Sequence, residues 1–398
     1  MSGENADAGP RKKAGNGNGR GKMLFGIFAF FLLCGAGWGA YWLFFLAGSQ
    51  STDNAYVAGN QIRISARVAG NVATIKADNH QLVEAGQILL TLDDTDARVA
   101  LARAKAALAD AVRRTSSLMA ESDRLQAVIS VRESELAKAE GDLARRRKQR
   151  TALSVSEEEL QHARDDHATA VVALREAREA LQVNKMLLQE AALEEQPQVL
   201  LAAEETREAW LALERCAVKS PATGYVARRS AQVGMHVTPD TPLMAVVPLD
   251  QVWVDANFKE VQLKSMRMGQ KATVKTDMYG GSVEFTGTVA GFSAGTGSSF
   301  SLLPPENATG NWIKVVQRVP VKIALDSGEL AKNPLLVGLS CLVAVDVSDA
   351  AGPMLALDPV ARTVFSTDSL AHDLGRINDD IAAIVEANKG PAAKGRGR

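Results

Sequence analysis

A chain of 398 residues is too long for one compact domain at roughly 100–200 residues each. Lys plus Arg (45) and Asp plus Glu (46) nearly cancel, leaving a net charge of −1, which argues against a nucleic-acid binder; 46% hydrophobic residues exclude wholesale disorder. Three distant cysteines (Cys34, Cys216, Cys341) and five scattered histidines form no C-x-x-C and no Cys/His cluster, so neither a zinc module nor a disulfide framework is expected.

Residues 1–22 read as a tail, with Arg11, Lys12, Lys13, Arg20 and Lys22 as a basic flank. The run from Met23 to Ala47 is apolar and free of charge, and many of the chain's aromatics crowd between Phe25 and Phe45. As a helix it measures about 37 Å, enough to cross a hydrocarbon core of ~30 Å. It is longer than the ~7–15 apolar residues of a cleaved signal peptide. The next basic residue is Arg63, so the positive-inside bias predicts a single-pass protein, N-terminus in the cytoplasm and everything after Ser49 exported. One span cannot form a transport pathway by itself.

Residues 52–93 carry short apolar strands separated by glycine turns at Gly70 and Gly86. Residues 216–248 repeat that order, with glycine turns at Gly224 and Gly234. Neither half is long enough to bury a core, so the two are predicted to close into one sandwich. Between them, residues 94–215 form a helical hairpin. This stretch is rich in Ala, Leu, Glu and Arg and lacks aromatics before Trp210. One heptad column runs Leu101, Leu108, Thr115, Ser122, Ile129, Leu136, Leu143; a second runs Leu160, His167, Leu174, Leu181, Leu188. Ser156 and Glu159 spell a capping box, which starts the second arm near Glu157, and Pro197 should break that arm near its base.

Residues 249–350 alternate in short runs (Val252–Phe258, Lys271–Met278, Val283–Val289, Ile313–Val316, Val319–Leu325, Leu342–Val347) and predict a small antiparallel β-barrel. The irregular stretch Gly291–Asn311 interrupts it; a loop of that length is a candidate docking loop, with Phe300, Leu302, Leu303, Asn307 and Trp312 as its contact residues. Residues 351–398 add an amphipathic helix over Ser369–Asn388, for core packing or self-association, and a basic tail.

A carrier-like sandwich split by a coiled-coil hairpin behind one anchor resembles the HlyD-type membrane fusion protein, or periplasmic adaptor, family. The runs Asp53–Gly59, Trp210–Arg215 and Gly295–Pro320 are similar to its Emr-type multidrug efflux adaptors, over essentially Thr52 to Val347. The resemblance implies an elongated α+β fold: a transmembrane helix, a split lipoyl-like β-sandwich with the inserted hairpin, then the β-barrel. It implies a three-part efflux system in which the adaptor, a homo-oligomer (trimer or hexamer), joins an inner-membrane major-facilitator drug/proton antiporter to a TolC-like outer-membrane channel. Related adaptors contact the channel through an Arg, a Leu and a Ser at the hairpin tip. That spacing falls here on Arg145, Gln149 and Ser156, with Leu153 close by in place of the missing Leu. Two rival readings stay open: an adaptor of an ABC-type system exporting protein or polysaccharide, and an envelope tether with no conduit.

No catalytic, metal or cofactor residues are expected. The carrier fold presents a modifiable lysine at a hairpin tip, and Leu92–Ala97 contains none. His162 and His167 are five apart and do not share a helical face, as a zinc pair at i, i+4 would. Asp93, Asp94 and Asp96 suit a helix start, and no P-loop is present.

Overall fold

The computed structural model describes residues 18–41, 48–151, 156–189, 191–300, 315–356, 359 and 363–390. In chain order the elements are α1 (Asn18–Tyr41), β1 (Ser49–Gly59), β2 (Ile62–Ser65), β3 (Gly70–Ile75), β4 (Leu82–Val83), β5 (Ile88–Leu92), α2 (Thr95–Thr151), α3 (Glu157–Met186) and α4 (Pro197–Glu214). There follow β6 (Ala217–Lys219), β7 (Gly224–Arg229), β8 (His236–Val237), β9 (Pro242–Val247), β10 (Val252–Lys259), β11 (Lys271–Thr276), β12 (Glu284–Phe292), β13 (Arg318–Leu325), α5 (Ser327–Lys332), β14 (Ser340–Asp346) and α6 (Gly375–Asn388). They divide into two compact units: Met1–Gln61 with Val247–Ser366, and Ile62–Val246 with Thr367–Arg398.

The first unit holds the closed barrel β1-β10-β13-β12-β11-β14, antiparallel throughout. Alternation sets its core. In β10, Val252, Val254, Ala256 and Phe258 point in, meeting Phe285, Ile323 and Val343. The closing strand is a surprise. β1 pairs with both β10 and β14, so Ala55 and Val57 belong to the barrel and not to the sandwich half expected to begin at residue 52. A second departure is Val315–Val316, expected in a strand but outside any strand in the structure; Ile313 lies outside the described residues. All three cysteines are free. Burial, aided by the charge of Asp277, pushes the Cys341 thiol in β14 up to about 11.

Helix α1 leaves Phe25, Phe28, Phe31 and Leu33 exposed. Among the described residues no helix is long and apolar enough to cross a membrane. The span expected over Met23–Ala47 is therefore unsupported by the described helix; its last part, residues 42–47, lies outside the described residues. So do Arg11, Lys12 and Lys13, whereas Arg20 and Lys22 fall within α1.

In the second unit the two repeat halves interleave. The sheets run β2-β9-β7-β4 and β6-β5-β3-β8, each taking two strands from before the hairpin and two from after it. They enclose one aliphatic core that includes Ile64, Val83, Leu89, Leu90, Val226 and Leu243. Four turns carry the same symmetry. His80 and Gly234 stand at equivalent positions, with φ of 67° and 83°, and each donates its amide to the other half, to Val226 and Val72 carbonyls at 2.8 Å. Gly86 and Asp240 form the second equivalent pair, with φ of 82° and 68°, donating to Ser220 and Ala66 at 2.8 and 3.0 Å. An added Cβ at Gly86 or Gly234 would meet nothing within 4 Å, so the dihedral, and not lack of space, favours glycine there. Gly86→Ala and Gly234→Ala should each cost about 1–2 kcal/mol, the penalty of an L side chain in left-handed backbone. Urea unfolding that found either variant as stable as the parent would contradict this reading of the repeat.

The hairpin rises between the halves. Helix α2 has 57 residues, about 85 Å of helix, and α3 has 30. Every residue of the two predicted columns is buried or half-buried. Leu125 and Ile129 meet Leu174 and Leu181 midway along the arm. The second arm stops at Met186 and resumes with Pro197 at the first turn of α4, where its missing N–H costs nothing. Buried Gln196 bridges the break: its Nε2 donates to the carbonyls of Gln189 (2.9 Å) and Ala191 (3.1 Å), and its Oε1 accepts from Gln189 N (3.1 Å).

At the hairpin base the seam widens. Val112, Ser116 and Met119, outside both columns, are also buried, because α6 packs there against α2 and α4. The C-terminal helix begins at Gly375, six residues later than expected, since 369–374 run as a turn followed by an irregular strap. Asp94 pairs with Arg98 at 2.8 Å, and Asp93 accepts from Thr95 at 2.7 and 3.0 Å. These bonds hold both carboxyls below their usual range and explain the acidic cluster as a helix start. Among the described residues no group of three or more His, Cys, Asp or Glu could hold a metal ion.

Candidate docking site

The tip of the hairpin is built from the end of α2 and the start of α3. Leu143 packs on Leu160 and Ala163 as the outermost hydrophobic cluster of the described arm. Two hydrogen-bonded devices fix the start of α3. Ser156 Oγ accepts from Glu159 N (3.2 Å), and the Glu159 carboxylate accepts from Ser156 N (3.1 Å), a reciprocal capping box. The bond from Ser156 N is the main reason the Glu159 carboxyl lies below its usual range; Arg146 adds a smaller electrostatic pull. Arg146 also donates across the hairpin to the Glu159 carbonyl at 3.0 Å.

This geometry sorts the four tip residues singled out from sequence. Arg145 is exposed and paired with Asp142, its own helical neighbour. Gln149, one turn on, is exposed as well, so the two share a solvent-facing stripe. Ser156 is exposed, but its hydroxyl is engaged in the cap. Leu153 lies outside the described residues. Arg146 is not among those four, though the sequence places it in the basic run Arg145–Lys148 at the tip; its bond to the facing helix makes it a positioning residue.

Of the barrel loop, Phe300 is described, and Leu302, Leu303, Asn307 and Trp312 lie outside the described residues. Phe300 is 70% exposed, and its ring covers Gly295, where a Cβ would come within 2.8 Å of ring carbon Cε2. The start of the loop is tied to its return strand: Ser293 N donates to Pro320 O (2.9 Å), and Ser298 Oγ to Gln317 Oε1 (2.8 Å).

Comparison with known proteins follows these two modules. The α-helical hairpin domain of EmrA matches residues 95–216, and an AAEA-like β-barrel domain matches residues 251–346. Hairpin and barrel in one chain define the class, a membrane fusion adaptor. The chain is 47% identical to the multidrug export protein EmrA of Escherichia coli over 352 residues, 88% of this chain and 90% of that one. It is 44% identical to its Haemophilus influenzae counterpart over 377 residues, 95% and 97% of the two chains. The chain belongs to the HlyD-type membrane fusion protein family, in its EmrA group of multidrug-export adaptors. A solved periplasmic adaptor EmrA superposes with a TM-score of 0.39 at 18% identity, covering 75% of this chain and 98% of that one.

Proposed function

We propose that this protein is the periplasmic adaptor of a three-part multidrug efflux system, joining an inner-membrane major-facilitator drug/proton antiporter to a TolC-like outer-membrane channel. The observation that carries the reading is the hairpin inserted between two halves that interleave strand by strand, in one chain with a barrel. An arm rooted at both ends in the same sandwich resists bending at its base, as a spacer between two membranes must. The charge-free run Met23–Ala47 anchors it in the inner membrane behind the basic residues Arg11, Lys12, Lys13, Arg20 and Lys22. Several copies surround one conduit, and the barrel loop around Phe300, Leu302, Leu303, Asn307 and Trp312 meets a neighbouring copy or the pump. The adaptor does mechanical work and needs no bond-making chemistry.

Crosslinking in intact cells followed by purification of the full chain in detergent should recover a major-facilitator antiporter and an outer-membrane channel together. Deleting the gene should raise intracellular drug accumulation. Recovery of an ABC pump would instead indicate a secretion adaptor, and unaltered accumulation would indicate a tether.

A further inference from the structure

Residues 367–372 cross the open side of the β-sandwich. There β2, the edge strand of one sheet, and β6, the edge strand of the other, leave a cavity of about 350 Å³ that the strap covers. Thr367 pins the strap by donating from Oγ1 to the Pro221 carbonyl at 2.5 Å, and Ser369 N donates back to Thr367 Oγ1 at 3.2 Å. The interior surface is mainly apolar, from Ile62, Ile64, Val218 and Leu370. Around it stand Arg63, Arg67, Arg215, Lys219 and His372, and no Asp or Glu lines the wall.

That charge distribution is unusual for a structural crevice. Arg215 Nε and His372 Nε2 are both buried there without a hydrogen-bond partner. Such groups each cost the protein on the order of 1–3 kcal/mol unless something accepts from them. His372 is held below the ordinary imidazole range by burial first, then by the positive charges of Arg67 and Lys219, with Arg215 adding to them and Glu214 opposing. An occupant that supplied negative charge would relieve all of these at once. The cavity's size falls at the low end for small organic ligands.

We infer that this cavity is a binding site for a small amphiphilic anion, its apolar body against Ile62, Ile64 and Val218 and its acidic head on Arg215, Lys219 and His372. The site lies wholly within the sandwich and its strap, and does not depend on the transport reading. The head accepts from the Arg215 Nε–H and from His372 Nε2 in the form that carries a proton there, and the tail is removed from water. A cation of the same shape is rejected, because it leaves the donors unpaired and adds like charge.

The test is calorimetric titration of the full chain in phosphatidylcholine nanodiscs with decanoate, decyltrimethylammonium and decanol. Decanoate should bind one per chain and saturate, the cation should not compete, and decanol should bind more weakly. Lys219→Ala combined with Arg67→Ala should weaken decanoate binding tenfold or more while leaving decanol unchanged. Should that pair unfold, Leu370→Glu on the strap, which offers a carboxylate at the cavity, should weaken decanoate similarly. Equal binding of decanoate and the cation, or undiminished decanoate binding in every folded variant, would overturn the proposal. Repeating the titration in phosphatidylglycerol discs separates two sources of the same chemistry. Loss of decanoate binding there assigns the site to an anionic lipid, and undisturbed binding assigns it to a free solute.

Discussion

Alanine at Ile377 should remove about 2–5 kcal/mol of stability, the range for emptying a fully buried aliphatic position. Ile377 is 0% exposed, and Ile381 and Val385 continue its stripe. The three fill a core with Leu108, Val112 and Met119 of α2 and with Val199, Ala202 and Trp210 of α4. Polar contacts flank this core: Lys105 pairs with Asp380 at 2.6 Å, Arg207 donates to Asn378 at 2.8 Å, and Lys389 reaches Glu194 at 3.0 Å. Each keeps at least one partner in contact with water and contributes little beside the core. Ile377→Ala should therefore loosen the hairpin base, seen as faster hydrogen exchange in α4 and in the first turns of α2. Asp379→Ala, on the exposed side of the same helix, should stay within about 0.5 kcal/mol. If both variants melt together with the parent, α6 is not part of the hairpin's support.

The second large effect belongs to the tip. Arg145→Glu with Gln149→Glu alters two exposed positions, so stability should change by no more than about 0.5 kcal/mol. Capture of the outer-membrane channel by crosslinking should fall about tenfold, the equivalent of roughly 1.4 kcal/mol of mismatched charge at an interface. Drug accumulation should rise in step. Arg146→Glu should behave differently. It deletes the bond to the Glu159 carbonyl and puts a carboxylate beside that of Glu159, so both hairpin order and capture should drop. Undiminished capture by the exposed pair variant would remove the tip from the docking reading.

Local pattern made the hairpin legible. Heptad spacing placed Leu108, Ile129, Leu174 and Leu181 on one seam, and the Ser156–Glu159 box located the start of α3. Both signals act within a few residues, where sequence spacing and spatial spacing agree. The misplacement of β1 and the missed burial on α2 were long-range. β1 reads equally well as a strand of either sheet system, and its barrel partners lie at Val252–Gly59 and Thr52–Val343 pairings that no local signal encodes. Val112 and Met119 look like outer positions of a two-helix seam until α6 arrives to cover them. At the candidate site, exposure of Arg145 and Gln149 follows from heptad position, whereas the cross-hairpin bond of Arg146 depends on the turn geometry between the arms.

The late partners of β1 constrain the order in which this molecule is made. The strand must wait for β10 and then for β14 before its two open edges are satisfied. Its ring therefore has high contact order and closes slowly, whereas the helical arms zip through near neighbours. A chain made from its N-terminus exposes β1 as an unpaired strand until β10 and β14 have followed it. Chaperones that shield strand edges should matter more to the yield of this protein than those that shield helices.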